Sequence, residues 1–190
     1  MAGGLDSGSI ATIIHHVGIA RQSRKGGPAV SESAQEQLES WIDRYSPGVA
    51  SVARHAIAWL RSRFPGAFVL VYDNYNALVV GFCSTERASD AVFSVALYPK
   101  WVNLFFLRGA EIDDPAGLLQ GAGKQVRSIR LTATDILHHP DVISLVDRAA
   151  AHFGLGDAQG HSSELIIKAV SEKKRARQPR AAKPSGLRNP

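Results

Sequence analysis

Tyr72, Asn74, Asn76, Trp101 and Asn103 bring aromatic rings and amides near strand ends, and Lys124 and Arg127 add cations further along. Apolar walls with a few orienting polar groups are what small-ligand sites are made of. Asn also favours turns, so the same residues suit tight connections. A pocket lined by Tyr72, Asn76, Trp101 and Arg127 is the arrangement that ligand binding would require. Arg127 shares a strand face with Ile129, and Lys124 and Arg130 flank it. A cation on a partly apolar face either pairs with a carboxylate or takes an anionic ligand. Glu32, Glu36, Glu39 and Asp43 recur at spacings of 4, 3 and 4, an acidic stripe on one helical face. Hard cations take oxygen ligands of this kind. A solvated helix face has the same pattern. Lys173, Lys174, Arg175, Arg177 and Arg180 begin a basic run that could touch nucleic-acid phosphates. No aromatic residue interrupts it, so base recognition is not implied.

Several familiar chemistries are absent. Gly121-Ala122-Gly123-Lys124 looks like the end of a phosphate loop. Position 118 is Leu where the first glycine should stand, and Gln125 follows the lysine where Ser or Thr should hold magnesium. A strand rather than a helix is expected next, so the segment reads as a glycine turn. No two of the seven histidines have the spacing of a zinc-protease helix. His138 and His139 point to different sides of any regular element, and His139 before Pro140 reads as the start of a helix. Cys83 ends an apolar strand and reads as a small buried hydrophobe. No Gly-x-Ser-x-Gly nucleophile elbow occurs.

The charge belongs to the ends of the chain. Of 190 residues with net charge +5, positions 1–31 carry +2 and positions 172–190 carry +6. The stretch 32–171 is left with −3. Both ends are poor in large apolar side chains and cannot offset chain entropy by burial, so they read as disordered tails. The 10–20 stretch is apolar but has no preceding positive charge, so it lacks the n-region of a secretory signal; Arg21, Arg24 and Lys25 with one acid mildly resemble an organellar presequence, but an extended disordered N-terminus or an upstream start codon is the simpler reading, and a cytoplasmic protein is expected. No apolar run reaches the length of a membrane span. The basic balance therefore says nothing about what the domain over 32–171 binds.

The elements that must position these groups follow from local patterns. Ser33 and Glu36 fit a capping box, which predicts a helix to about Tyr45 with Leu38, Trp41 and Ile42 inward. Ser46-Pro47 opens a second helix, with Val49, Val52, Ala53, Ala56 and Leu60 as its buried stripe and Pro65-Gly66 as its end. Apolar β-rich runs at 67–73 and 76–83 make one hairpin, and runs at 90–98 and 101–107 make another about Pro99-Lys100. Tight turns between consecutive runs imply antiparallel pairing. Phe68, Leu70 and Tyr72 on one face and Val69 and Val71 on the other predict a sheet covered on both faces, or one face lining a pocket. Ala77, Val79, Gly81 and Cys83 are small along one face, leaving room for a ligand or a closely packed helix. Positions 109–124 read as a loop, 125–131 as a strand, and Pro140 as the start of a helix stopped by Gly154. A last strand covers 164–171. The order is α+β: a mainly antiparallel sheet of five or six strands, N-terminal helices and a C-terminal helix.

The central text resembles the YdhG-like family of bacterial domains of unknown function. The matching runs are Val71 to Leu78 (VYDNYNAL), Tyr98 to Phe106 (YPKWVNLFF), Gly109, Asp113-Asp114-Pro115, Leu118 to Lys124 (LLQGAGK) and Arg127 to Arg130 (RSIR). The likeness covers about 34–171 and implies a compact α+β domain with no catalytic residues to transfer. Some relatives are described as frataxin-like iron chaperones, which would give the acidic stripe a role. The expected function is a non-catalytic binding module for a small ligand or protein partner. Iron handling through Glu32, Glu36, Glu39 and Asp43, and nucleic-acid binding through the basic tail, are the alternatives.

Overall fold

The structure, a computed structural model, describes residues 33–74, 76–155 and 165–170. The tails expected at 1–31 and 172–190, Glu32, and the basic run from Lys173 to Arg180 lie outside the described residues. The architecture is α+β: two helices, five strands, a third helix and a sixth strand. Helix α1 is Ala34–Ile42, α2 Pro47–Arg63 and α3 Pro140–His152. The strands are β1 Phe68–Asp73, β2 Leu78–Cys83, β3 Ala91–Tyr98, β4 Trp101–Phe106, β5 Arg127–Leu131 and β6 Leu165–Val170. Among the described residues no helix is long and apolar enough to cross a membrane.

Local chemistry sets the helix ends. The Glu36 backbone N–H donates to Ser33 Oγ at 3.2 Å, and Ser33 N–H donates to the Glu36 carboxylate at 2.8 Å. That reciprocal box satisfies two N–H groups with no partner inside α1. α1 ends three residues before Tyr45, whose hydroxyl instead accepts from Leu78 N–H at 3.1 Å and ties the helix connection to β2. α3 stops at a glycine: Gly154 has φ +69°, and Leu155 N–H reaches back to the Ala150 carbonyl at 2.9 Å. Only a residue tolerant of positive φ closes a helix this way, and the buried Leu155 seals the end.

The sheet runs β5-β4-β3-β2-β1-β6. Four of its five pairings are antiparallel, and β6 joins β1 in parallel. The parallel pair follows from the route of the chain. After β5 at one edge, α3 carries it across, and β6 lands on the opposite edge. One face of the sheet meets all three helices in a single core. Val71, Val80, Phe82, Phe93, Leu104 and Ile129 pack there against Leu38, Trp41, Ile57, Leu60, Leu145 and Val146. Ala53 and Ala56 are fully buried, and such small side chains let α2 sit close to the strands. Phe93 stacks on Phe64 and meets Phe106 edge-on, with ring centroids 5.7 and 5.3 Å apart.

The other face carries a second, smaller cluster with Leu70, Tyr72, Val79, Cys83, Ala96 and Phe105. No residue of the three helices joins it. The sheet is therefore apolar on both faces, as its strand sequences require.

Candidate functional site

The residues singled out in the sequence are distributed over three places. Tyr72 and Asn103 stand on the second face, in one row across the sheet: Tyr72, Val79, Ala96, Asn103, Arg130. Neighbouring strands lie about 4.8 Å apart, so three strand steps put them roughly 14 Å from each other. Val79 and Ala96 lie between them, in the buried apolar cluster of that face. The atoms nearest to a methyl placed on Gly81 would be the Leu70 carbonyl, Ser94 Oγ and Cys83 Sγ, none closer than 3.7 Å. Asn74 and Asn76 belong to the β1–β2 turn, closed by Asn74 N–H to Ala77 O at 3.0 Å and Ala77 N–H to Asn74 O at 3.3 Å. Trp101 stacks on Tyr98 with centroids 5.3 Å apart, and the Arg130 guanidinium lies 4.6 Å from the Trp101 ring centre.

Lys124 is exposed in the loop before β5. Arg127 lies on the helix-facing side, as its register with Phe106 requires. Its guanidinium donates to the carbonyls of Gly123 at 2.6 Å and Val126 at 2.9 Å. Those carbonyls, rather than a carboxylate, are the partners the structure gives it. The Gly121 turn has φ +127°, and β5 begins only at Arg127, so Gly121 to Lys124 make a glycine turn leading into a strand.

The acidic stripe is largely engaged. Glu36 is held by the Ser33 box, which keeps its carboxyl below the ordinary range. Arg54 from α2 donates to Glu39 at 2.8 Å and also to Asp43. Arg54 thus clamps α1 to α2 across 15 and 11 residues of chain. Among the described residues no group of three or more His, Cys, Asp or Glu could hold a metal ion. Cys83 is buried, and desolvation first, with Asp90 nearby, pushes its thiol up to about 12. A thiol held protonated at neutral pH is a poor nucleophile.

The structure also contains a site that the sequence did not indicate. A cleft of about 640 Å³ opens along β5, between that edge strand, the loop over 117–120 and the start of α3. Its walls include Leu118, Ile129, Ile136 and Val142, and Gln120, Arg130, Asp135, His138 and His139 supply polar groups. That volume falls within the range of small-molecule sites. Three local features shape it. Gly117, at φ +67°, turns the loop away from the strand, and the Asp114 carboxylate holds Leu119 N–H at 2.7 Å. A short 3-10 turn at Asp135–His138 buries Leu137 and leaves Asp135 and His138 outside. His139 caps α3, its Nδ1 accepting from Asp141 N–H at 3.3 Å. A neutral ring accepting at Nδ1 carries its proton on Nε2.

His138 also makes a long-range contact. Its Nε2 lies 2.9 Å from Nε2 of His55 on α2, with ring centroids 5.1 Å apart. The rings meet nearly head-on, the geometry of one imidazole donating to the other. This bond ties the 3-10 turn beside the cleft to the second helix.

No protein-family model, curated protein sequence or solved structure matches the chain. None of the seven residues expected to bind a ligand lines the cleft. Arg130 connects the two places. Its side chain stands beside Trp101 on the second face, and the residue also forms part of the cleft wall. The local signal for the cleft was the polar group Asp135, His138 and His139 just before a helix-opening Pro140. What the sequence lacked was the return of that group to the β5 edge.

Proposed function

We propose that this chain is a cytoplasmic, non-catalytic binding module of the YdhG-like type, and that a small ligand or a partner's side chain enters the cleft beside β5. The observation that carries the reading is the cleft itself: apolar walls from three separate segments, with Gln120, Arg130, Asp135, His138 and His139 also among the residues that line it. Apolar walls with a few placed polar groups give affinity and orientation without requiring chemistry. The high thiol pKa of Cys83 and its burial accord with a non-catalytic role. The engaged carboxylates of Glu36, Glu39 and Asp43 do not favour iron handling over ligand binding.

A screen of small molecules against protein labelled at Ile, Leu and Val methyls tests the reading. Hits should shift the methyl signals of Leu118, Ile129, Ile136 and Val142 first. Hits that shift only second-face methyls, such as those of Leu70 and Val79, would place ligand binding elsewhere and overturn it.

A further inference from the structure

We infer that the second face of the sheet is a docking surface for the chain's own apolar segment 10–20, which closes a second core over it.

Leu70, Val79, Ser94 and Ala96 stand in the middle of that face, on β1, β2 and β3, and each is 0 % exposed. Tyr72 and Cys83 beside them are buried as well. Side chains stand roughly perpendicular to a sheet, so their tips point away from it and one layer of them does not close over its own centre. Sealing such a face takes a second layer. The described members of this cluster do not provide one. They stand on the strands themselves, apart from Ala77, Ala88, Leu107 and Val126 in the connections next to strand ends. The burial is that of a single chain, so the cover belongs to the same chain rather than to a second copy.

The sequence leaves one occupant. Beyond Tyr75, the stretches outside the described residues are 1–32, 156–164 and 171–190. The stretch 156–164 holds no apolar side chain larger than Ala158, and 171–190 holds only Leu187. The first stretch holds Ile10, Ile13, Ile14 and Val17, at spacings of 3, 1 and 3. Those spacings set the four on one side of a helical pattern, with Thr12, His15 and His16 on the other. Eleven residues at a helical rise span about 16 Å, and the three strand steps from β1 to β4 span roughly 14 Å. Gly81 and Ala96, in the middle of the face, allow close approach.

The route is open. α1 packs beside β6, the edge strand next to β1. Positions 21–32 can extend to about 40 Å, against a layer spacing of about 10 Å, so the chain rounds that edge with length to spare. Arg21, Arg24, Lys25, Gly26 and Gly27 lie there, and Val30 is the one large apolar residue among them. That composition suits a connection running over the surface.

The test uses the full chain labelled at Ile, Leu and Val methyls. In the wild type, the methyls of Ile13 and Ile14 should show nuclear Overhauser contacts to those of Leu70 and Val79 within one molecule. Ile13→Asp/Ile14→Asp should remove them. It should also speed native thiol labelling of Cys83, on the same face, at least tenfold, while the helix-side methyls of Leu38 and Val80 keep their shifts. The wild-type contacts need no variant, so they decide the matter if the double variant does not fold. Absence of any contact from the Ile13 and Ile14 methyls overturns the inference. Contacts seen only between differently labelled copies in a mixed sample overturn it in favour of a dimer. An unchanged Cys83 rate in the folded double variant overturns it too.

Discussion

Gly109 and Gly48 should respond in opposite directions to the same substitution. Gly109 lies in a 3-10 turn just after β4, against the paired ends of β4 and β5. A methyl there would fall 2.6 Å from Arg127 Cβ and 2.9 Å from Phe106 Cβ. Carbon atoms rest about 3.5–4.0 Å apart, so the turn must move about 1 Å. Both obstacles are the first carbons of side chains on paired strands, not flexible ends that can swing aside. Overpacking of this sort costs about 1–3 kcal/mol, or roughly 2–12 °C in Tm for a domain of this size. Gly48, in the first turn of α2, has nothing within 4 Å of the same methyl. Gly48→Ala should therefore stabilise by about 0.4–1 kcal/mol, through a less flexible unfolded chain. Urea unfolding of both variants reads the difference as opposite shifts in midpoint at unchanged slope. A Gly109→Ala midpoint equal to wild type would refute the close packing of this turn on the β4–β5 pair.

Other consequences follow from burial and pairing. Cys83 should resist a thiol reagent at pH 8 in the native protein and react fully in urea, since its thiol is buried and pushed up to about 12; fast native labelling would contradict the second cluster. Tyr72 is likewise raised to about 12, by desolvation first and Cys83 second. Its folded pKa exceeds the unfolded value near 10, so its contribution is present below pH 10 and lost as pH rises from 10 toward 12. Tyr72→Phe should flatten that alkaline limb in unfolding measurements, and an unchanged limb would count against it. Arg63 donates to Asp147 through both its Nε, at 2.7 Å, and its Nη2, joining α2 to α3. Both side chains are partly exposed, so a double-mutant cycle with Ala should give a coupling of only about 0.2–1 kcal/mol, smaller at high salt.

What could be read in the sequence was local. Ser33 and Glu36 close their box within one turn, and Gly154 ends α3 through bonds to residues just behind it. The β1–β2 turn closes over four residues. Each depends on neighbours in the chain, so each shows in the pattern. The parallel β6–β1 pair, the Arg54 clamp and the His55–His138 bond join residues far apart in sequence, and no periodicity records them. The candidate site divided in the same way. Aromatic and amide residues near strand ends were visible, but strand register set Tyr72 and Asn103 three strands apart. The cleft depends on where the 3-10 turn and the Gly117 loop return to β5, which is a property of the packed core.

The account's central claim is that ligands enter the cleft beside β5. Its most direct test is to fill that cleft. Leu118 is only half-buried in the wall, at the rim of the helix-packed core, so Leu118→Trp should direct its added bulk into the cleft. For a small molecule already mapped to the cleft methyls, the dissociation constant against Leu118→Trp should rise at least tenfold while Tm stays within about 2 °C of wild type, as partly exposed substitutions usually do. Unchanged affinity in a folded Leu118→Trp protein would contradict the claim.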